Sequence, residues 1–160
     1  DANLPEAGIG ALAAAAPKDV RLAALAVSPA KAPRLTPHLG RFDMLFANRS
    51  EAAALLDEPV ETAAEALAAA DNLRAMGPNM VFVTLGEEGV ALATQDACEI
   101  YPAPPCNVVS VNGAGDAFAA GVMAAQLKGA PLAEAVERGL AAASLTAASA
   151  DTCSAALGTA

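Results

Sequence analysis

Asn112-Gly113-Ala114-Gly115-Asp116-Ala117-Phe118 decides how the rest of this chain is read. Asn107 to Ser110, just before it, is a short apolar-polar extended stretch. Ala117 to Leu127, just after it, is apolar and helix-favouring. Gly113 to Gly115 therefore fall in a turn that enters a helix. Amide N–H groups in such a turn have no partner inside the helix, and the helix dipole adds positive potential there. Glycines let an anion come close to those amides. Asp116 then places a negative group where an anion would be drawn. A carboxylate is a poor ligand for a phosphate, but a suitable base for a hydroxyl about to attack phosphorus. The same residues can also simply open a helix, with Asp116 set favourably against the dipole.

Two upstream segments bear on that choice. Asn48-Arg49-Ser50-Glu51 has the spacing of a capping box, in which Asn48 caps a helix and Glu51 reaches back to the cap N–H. A lone carboxylate at such a helix start also suits magnesium, which keeps several waters and often takes only one or two carboxylates. Thr84-Leu85-Gly86-Glu87-Glu88-Gly89 reads as a tight glycine-bearing turn between the apolar runs Met80–Thr84 and Val90–Thr94.

In that order, the three segments resemble the motifs of the ribokinase-like (pfkB) carbohydrate and nucleoside kinases. Gly113 to Phe118, continued by Ala119-Ala120-Gly121, is similar to the family's C-terminal signature. Asn48 to Glu51 is similar to its Asn-x-x-Glu, and Thr84 to Gly89 to its Thr-x-Gly-x-x-Gly turn. The resemblance runs from about Asp1 to Leu157. It implies a cytoplasmic enzyme that uses ATP and Mg2+ to phosphorylate a hydroxyl of a sugar or nucleoside. Carried onto this sequence, it makes Asp116 the catalytic base, with the amides of Gly113, Ala114 and Gly115 stabilising the transferring group. Asn48, Thr84, Gly86, Gly89, Asn112, Gly113 and Gly115 would contact the nucleotide, and Glu51 with Asn48 would hold magnesium mainly through water. Val27-Ser28-Pro29-Ala30-Lys31-Ala32, Pro104-Pro105 and the tail Asp151 to Leu157 look more like pseudouridine kinases than ribokinase or fructokinases. Where the wider family often has Asp-Thr-x, this chain has Ser110-Val111-Asn112. That Asp often helps bind a monovalent cation nearby, so use of potassium stays open.

Composition narrows the alternatives. The chain has 160 residues, enough for one domain with a real core, and 55% are hydrophobic but only 3% aromatic. Its core must therefore be built from Ala, Leu and Val. A formal net charge of −9 argues against a broad basic face for nucleic acid or an anionic membrane. A nucleotide site here would rely on backbone amides and magnesium. No apolar run is long enough to span a bilayer, and no signal segment opens the sequence. Cys98, Cys106 and Cys153 lack metal-type spacing and read as small apolar residues in a reducing compartment. His38 is the only histidine, which leaves a Ser-His-Asp triad or a histidine metal site without a second partner; it reads as a surface or helix-end residue.

The pattern of apolar runs predicts helices over Pro5–Ala16, Pro29–Leu39, Asn48–Leu56, Glu61–Met76, Ala114–Lys128 and Pro131–Ala150. It predicts strands over Arg21–Val27, Met44–Ala47, Met80–Thr84, Val90–Thr94 and Glu99–Tyr101. Such alternation is an α/β signature, with helices on both faces of a mostly parallel sheet. The whole chain, 1–160, then reads as the C-terminal nucleotide-binding part of a single ribokinase-like domain. Asp1-Ala2-Asn3-Leu4 looks like the end of a strand already inside a domain, so the N-terminal half and β lid of the family are expected to be absent. On that expectation the chain alone turns over slowly, and its unpaired sheet edge favours self-association, for example as a homodimer. Two other classes are weighed against this. One is a fragment that binds nucleotide or a partner without catalysis. The other is a dinucleotide-binding oxidoreductase, for which the Gly-x-Gly-x-x-Gly fingerprint with its following acid is missing.

Overall fold

The computed structural model describes residues 1–151. Cys153 and most of the tail compared with pseudouridine kinases lie outside the described residues. The elements are α1 (Glu6–Ala15), β1 (Ala23–Leu25), a 3₁₀ helix (Ala32–Arg41), β2 (Met44–Asn48), α2 (Arg49–Leu56), α3 (Ala63–Ala75), β3 (Met80–Thr84), a 3₁₀ turn (Gly86–Glu88), β4 (Val90–Ala93), β5 (Cys98–Tyr101), α4 (Ala114–Leu127) and α5 (Leu132–Ala147). They group into two compact units, Asp1–Leu85 with Ala91–Ile100, and Gly86–Val90 with Tyr101–Ala160.

One sheet carries the strands in the order β1-β2-β3-β4-β5. β1, β2 and β3 are parallel neighbours, with Ala23 opposite Met44 and Met44 opposite Met80. The links from β3 to β4 and from β4 to β5 are far too short for a crossover, so those pairs are hairpins and the sheet is mixed. Met44 to Ala47, Val81 to Val83 and all of β4 are buried without interruption. Successive strand residues point to opposite faces, so both faces are covered, as the α/β reading requires. Leu45, Ala47, Val81 and Val83 join Ile9, Leu35, Leu55 and Leu73 in one core, while Phe46 and Phe82 stack with ring centroids 4.7 Å apart. Alternate strand residues thus serve separate packing layers.

In the second unit α4 packs on α5 at close range. A Cβ added to Gly121 would lie 2.8 Å from the Cα of Gly139, and one added to Gly139 would meet Phe118 at 2.9 Å. Two glycines facing each other let the helix backbones approach where larger side chains would hold them apart. Phe118, Val122, Ala135 and Val136 fill the remaining contact and are buried. This is how a chain so poor in aromatics builds a dense interior.

Several boundaries differ from the sequence expectations, each for a physical reason. The strand expected over Arg21–Val27 shrinks to three residues. Asp43 takes the Leu22 N–H with its carboxylate at 2.8 Å, and Val27 turns away with φ 67°. The helix expected over Pro29–Leu39 is 3₁₀ rather than α, and runs to Arg41. Pro37, inside the helix, lacks the N–H that an α-helix would use, whereas Pro33 falls in the first turn, where that group has no intrahelical partner anyway. The helix expected from Glu61 begins at Ala63, because Thr62 and Glu65 form a reciprocal capping box. Asp1 to Leu4 form a turn rather than a strand end, though the Ala2 N–H donates to the Leu25 carbonyl at 3.0 Å. Cys98 and Cys106 are free thiols on the surface. His38 sits in the last turn of the 3₁₀ helix, half-buried, with its ring against Gly10 of α1. Among the described residues, no helix is long and apolar enough to cross a membrane.

Candidate active site

The first unit brings three of the proposed site residues together. β2 ends at Asn48 and β3 at Thr84, and these two residues are register partners at the carboxyl ends of parallel strands. Ligands of open α/β sheets bind outside that edge. Asn48 has extended backbone and caps α2: its side-chain oxygen accepts the Glu51 N–H at 3.0 Å. Glu51 answers by accepting the Asn48 N–H at 2.9 Å. The capping box therefore exists, and it holds a carboxylate that is only 7% exposed at the sheet edge. The Thr84 hydroxyl donates to the Ala47 carbonyl at 3.4 Å, which ties the end of β3 to the residue before the cap.

The second unit carries the others. Gly113 caps α4 with φ 80°, a left-handed angle that glycine adopts without penalty. Its carbonyl accepts the Ala117 N–H at 2.9 Å, while the Ala114 N–H reaches back to Val111 at 3.3 Å. Gly115 and Asp116 are the next two helical residues. Their N–H groups fall in the first turn, which has no intrahelical acceptor and here has no side-chain cap. Gly115 needs no unusual backbone angle, and a Cβ built on it would meet nothing within 4 Å. The fold itself thus gives no reason for glycine at position 115. Asp116 is exposed on the same turn, as is Asn112, whose N–H donates to the Ser110 hydroxyl at 3.3 Å.

Gly86 and Gly89 bound the turn between β3 and β4, and they differ in kind. Gly86 has φ 66° and open space around it. Gly89 is buried with φ 106°, and a Cβ there would meet the Tyr101 carbonyl at 1.9 Å and the Ala103 nitrogen at 2.7 Å. Its glycine is required by the backbone of residues 101–103 passing over it. Asn48, Glu51 and Thr84 belong to the first unit; Gly86, Gly89 and Asn112 to Asp116 belong to the second.

The residues present fit a magnesium-bound nucleotide in chemical type. Among the described residues no cluster of three or more His, Cys, Asp or Glu could cage a metal. The Glu51 carboxylate at the sheet edge is instead a donor of the kind that suits an ion that keeps most of its water. The turn at Gly115 offers an anion the Gly115 and Asp116 amides, which have no intrahelical acceptor and no side-chain cap.

The model of the pfkB family carbohydrate kinases matches residues 1–158. The chain belongs to the pfkB family of carbohydrate kinases. It is 42% identical over 93 residues to the 1-phosphofructokinase of Haloferax volcanii, covering 58% of this chain and 30% of that protein. It is 35% identical over 105 residues to the cytidine kinase of Thermococcus kodakarensis, covering 64% of this chain and 36% of that one. Among solved structures, a carbohydrate kinase from Agrobacterium tumefaciens superposes with a TM-score of 0.78 at 37% identity, over 96% of this chain and 48% of that one. The Arabidopsis thaliana ribokinase complexed with ribose and ATP does so with a TM-score of 0.68 at 29% identity, over 74% of this chain and 40% of that one. The chain spans about half the length of these solved relatives.

Two features escaped the sequence reading. The Thr62-Glu65 capping box was written in the Thr-x-x-Glu spacing and could have been found by the rule that found Asn48-Glu51. The positive φ of Val27 had no signal, since valine is an ordinary strand residue.

Proposed function

We propose that this chain supplies the ATP site and the catalytic base of a kinase that phosphorylates a hydroxyl of a sugar or nucleoside. The observation that carries this reading is the turn at Gly115, where the Gly115 and Asp116 amides have neither an intrahelical acceptor nor a side-chain cap and a Cβ built on the glycine would meet nothing within 4 Å, one residue from the exposed Asp116. Family membership and the ATP complex of the Arabidopsis ribokinase support the nucleotide as donor. When bound, magnesium would draw charge from the phosphates and so help the leaving group depart.

The chain's own residues then divide the work. Glu51, held in place by the Asn48 cap, would orient waters around the ion, with Asn48 beside it. Thr84, Gly86 and the rest of that turn would lie against the nucleoside part of ATP. Asn112 and the amides of Gly113, Ala114 and Gly115 would receive charge growing on the transferring phosphoryl group. Preorganised donors of this kind typically contribute about 3–4 kcal/mol each to lowering a barrier. Asp116 would accept the proton of the attacking hydroxyl at a carboxylate oxygen, a step worth roughly 10²–10⁴-fold. Gly89 serves this site indirectly, by letting the backbone of residues 101–103 pass close to the turn.

The acceptor class follows the relatives, which act on sugars, sugar phosphates and nucleosides by name; pseudouridine is one candidate suggested by Val27 to Ala32. A second reading, nucleotide binding without turnover, draws on one observation, that the chain spans about half of the solved relatives. Asp116→Asn in the full polypeptide carrying this chain decides between them. Loss of at least a hundredfold in kcat with little change in ATP affinity supports the base assignment. Retention of most of the rate would remove it.

A further inference from the structure

The backbone at Val27 is out of keeping with its residue type. Its φ is 67°, and the Ser28 N–H donates to the Ala26 carbonyl at 2.8 Å, closing a bond from residue i to i+2. That bond with that angle is a γ-turn of the strained kind, which is rare, and rarest for a β-branched residue. Bonds on both sides hold it. The Ala26 N–H donates to the Phe46 carbonyl at 3.0 Å, and the Ser28 carbonyl accepts N–H groups from Lys31 at 3.0 Å and Ala32 at 2.9 Å. The fold gains no core contact in return, because Val27 is 41% exposed. Strain that persists without a packing reason is commonly found at ligand-binding sites.

Position says which ligand. The β1-β2 register runs from Ala23 opposite Met44 to Leu25 opposite Phe46, and Val27 follows two residues beyond the carboxyl end of β1, while Asn48 ends β2 opposite Thr84 at the end of β3. The three residues thus sit at or just past the carboxyl ends of three adjacent parallel strands, which are themselves about 5 Å apart. In the proposed kinase reading, Thr84 marks the nucleoside part of ATP and Asn48 with Glu51 the magnesium and phosphates. The next place along the edge, one strand further on, lies past the phosphates, where the acceptor must arrive. A valine side chain offers neither charge nor hydrogen bond to a phosphate. It does offer an apolar surface to the C–H face of a sugar ring or nucleoside.

We infer that Val27 is a specificity-determining residue for the phosphate acceptor, held toward the carboxyl edge by its γ-turn. The inference rests on the kinase reading and deepens it. In the full polypeptide carrying this chain, Val27→Gly removes the side chain and relieves the turn, and Val27→Ala removes most of the side chain alone. Both are assayed with ATP and a panel of D-ribose, 2-deoxy-D-ribose, cytidine and pseudouridine, alongside thermal melting. The expected result is an acceptor KM raised at least fivefold in both variants. ATP affinity should stay within twofold, and the melting temperature of Val27→Gly should be equal or higher. A merely structural valine would instead lower the melting temperature and leave the KM for acceptor and for ATP moving together. An acceptor KM within twofold of wild type, in an enzyme that turns over normally, overturns this inference alone. A wild-type protein that transfers phosphate to none of the panel and binds no ATP overturns the kinase reading, and this inference with it.

Discussion

Asn48 and Thr84 face each other at the carboxyl ends of β2 and β3, one capping α2 and the other tied through its hydroxyl to the Ala47 carbonyl at 3.4 Å. The pair fixes where the sheet edge ends and where Glu51 stands. A stabilising motif and a proposed ligand site are therefore the same atoms.

Asn48→Ala should separate the two roles. Loss of the cap should cost about 1 kcal/mol in stability. Asn48→Asp keeps a side-chain oxygen for the Glu51 N–H and should recover most of that loss. Denaturant titration measures it, and an Asn48→Ala protein as stable as wild type would mean the cap contributes nothing.

The α4-α5 crossing gives a second expectation. Gly121→Ala sets a methyl 2.8 Å from the Cα of Gly139, against backbone that cannot yield as a flexible side chain would. Overpacking of this sort typically costs about 1–3 kcal/mol. Thermal melting should fall accordingly; an unchanged melting temperature would show the two helices free to separate.

Acid stability should report on Glu65. The backbone N–H groups of Thr62 and Glu61 hold its carboxyl below the ordinary value of 4.5. A group depressed on folding lends stability above its unfolded value, and that stability is lost as pH falls through the lowered one. Wild type should thus lose stability on acidification below about pH 4.5, and Glu65→Gln should flatten that part of the profile. Identical profiles for the two proteins would contradict the capping role.

Cys98 should be a slow thiol despite its exposure. Burial, then the Asp71 carboxylate, raise it above its ordinary value of 9.0, and its sulfur lies 3.8 Å from the Leu67 carbonyl. Less thiolate at a given pH means slower alkylation. Iodoacetamide labelling at pH 8.5 should modify Cys106 before Cys98, with Asp71→Asn speeding the latter. The reverse order would overturn this.

Much of the architecture was legible because it lies in local pattern. Asn48 with Glu51 spelled a cap, Gly113 to Asp116 spelled a helix start, and the apolar runs Met44–Ala47 and Met80–Thr84 spelled buried parallel strands. What stayed hidden depends on atoms distant in sequence. Gly89 and Gly115 are the same residue, yet one is demanded by the backbone of residues 101–103 and the other by nothing in the fold. Pro37 was visible, but its effect on the Ala32–Arg41 helix depends on its place inside that helix, past the first turn. Val27 looked like strand, and only its coordinates reveal the turn.

The central claim is that the amides at the start of α4 receive a nucleotide phosphate. A Cβ on Gly115 would meet nothing and its backbone angle is ordinary, so Gly115→Val should fold as wild type does while adding a branched side chain to the turn that carries those amides. Calorimetric titration with ATP, with and without magnesium, is the direct measurement. The account predicts magnesium-dependent binding that weakens at least tenfold in Gly115→Val and changes little in Asp116→Asn. Absence of magnesium-dependent binding in the wild type, or equal binding in Gly115→Val, would contradict it.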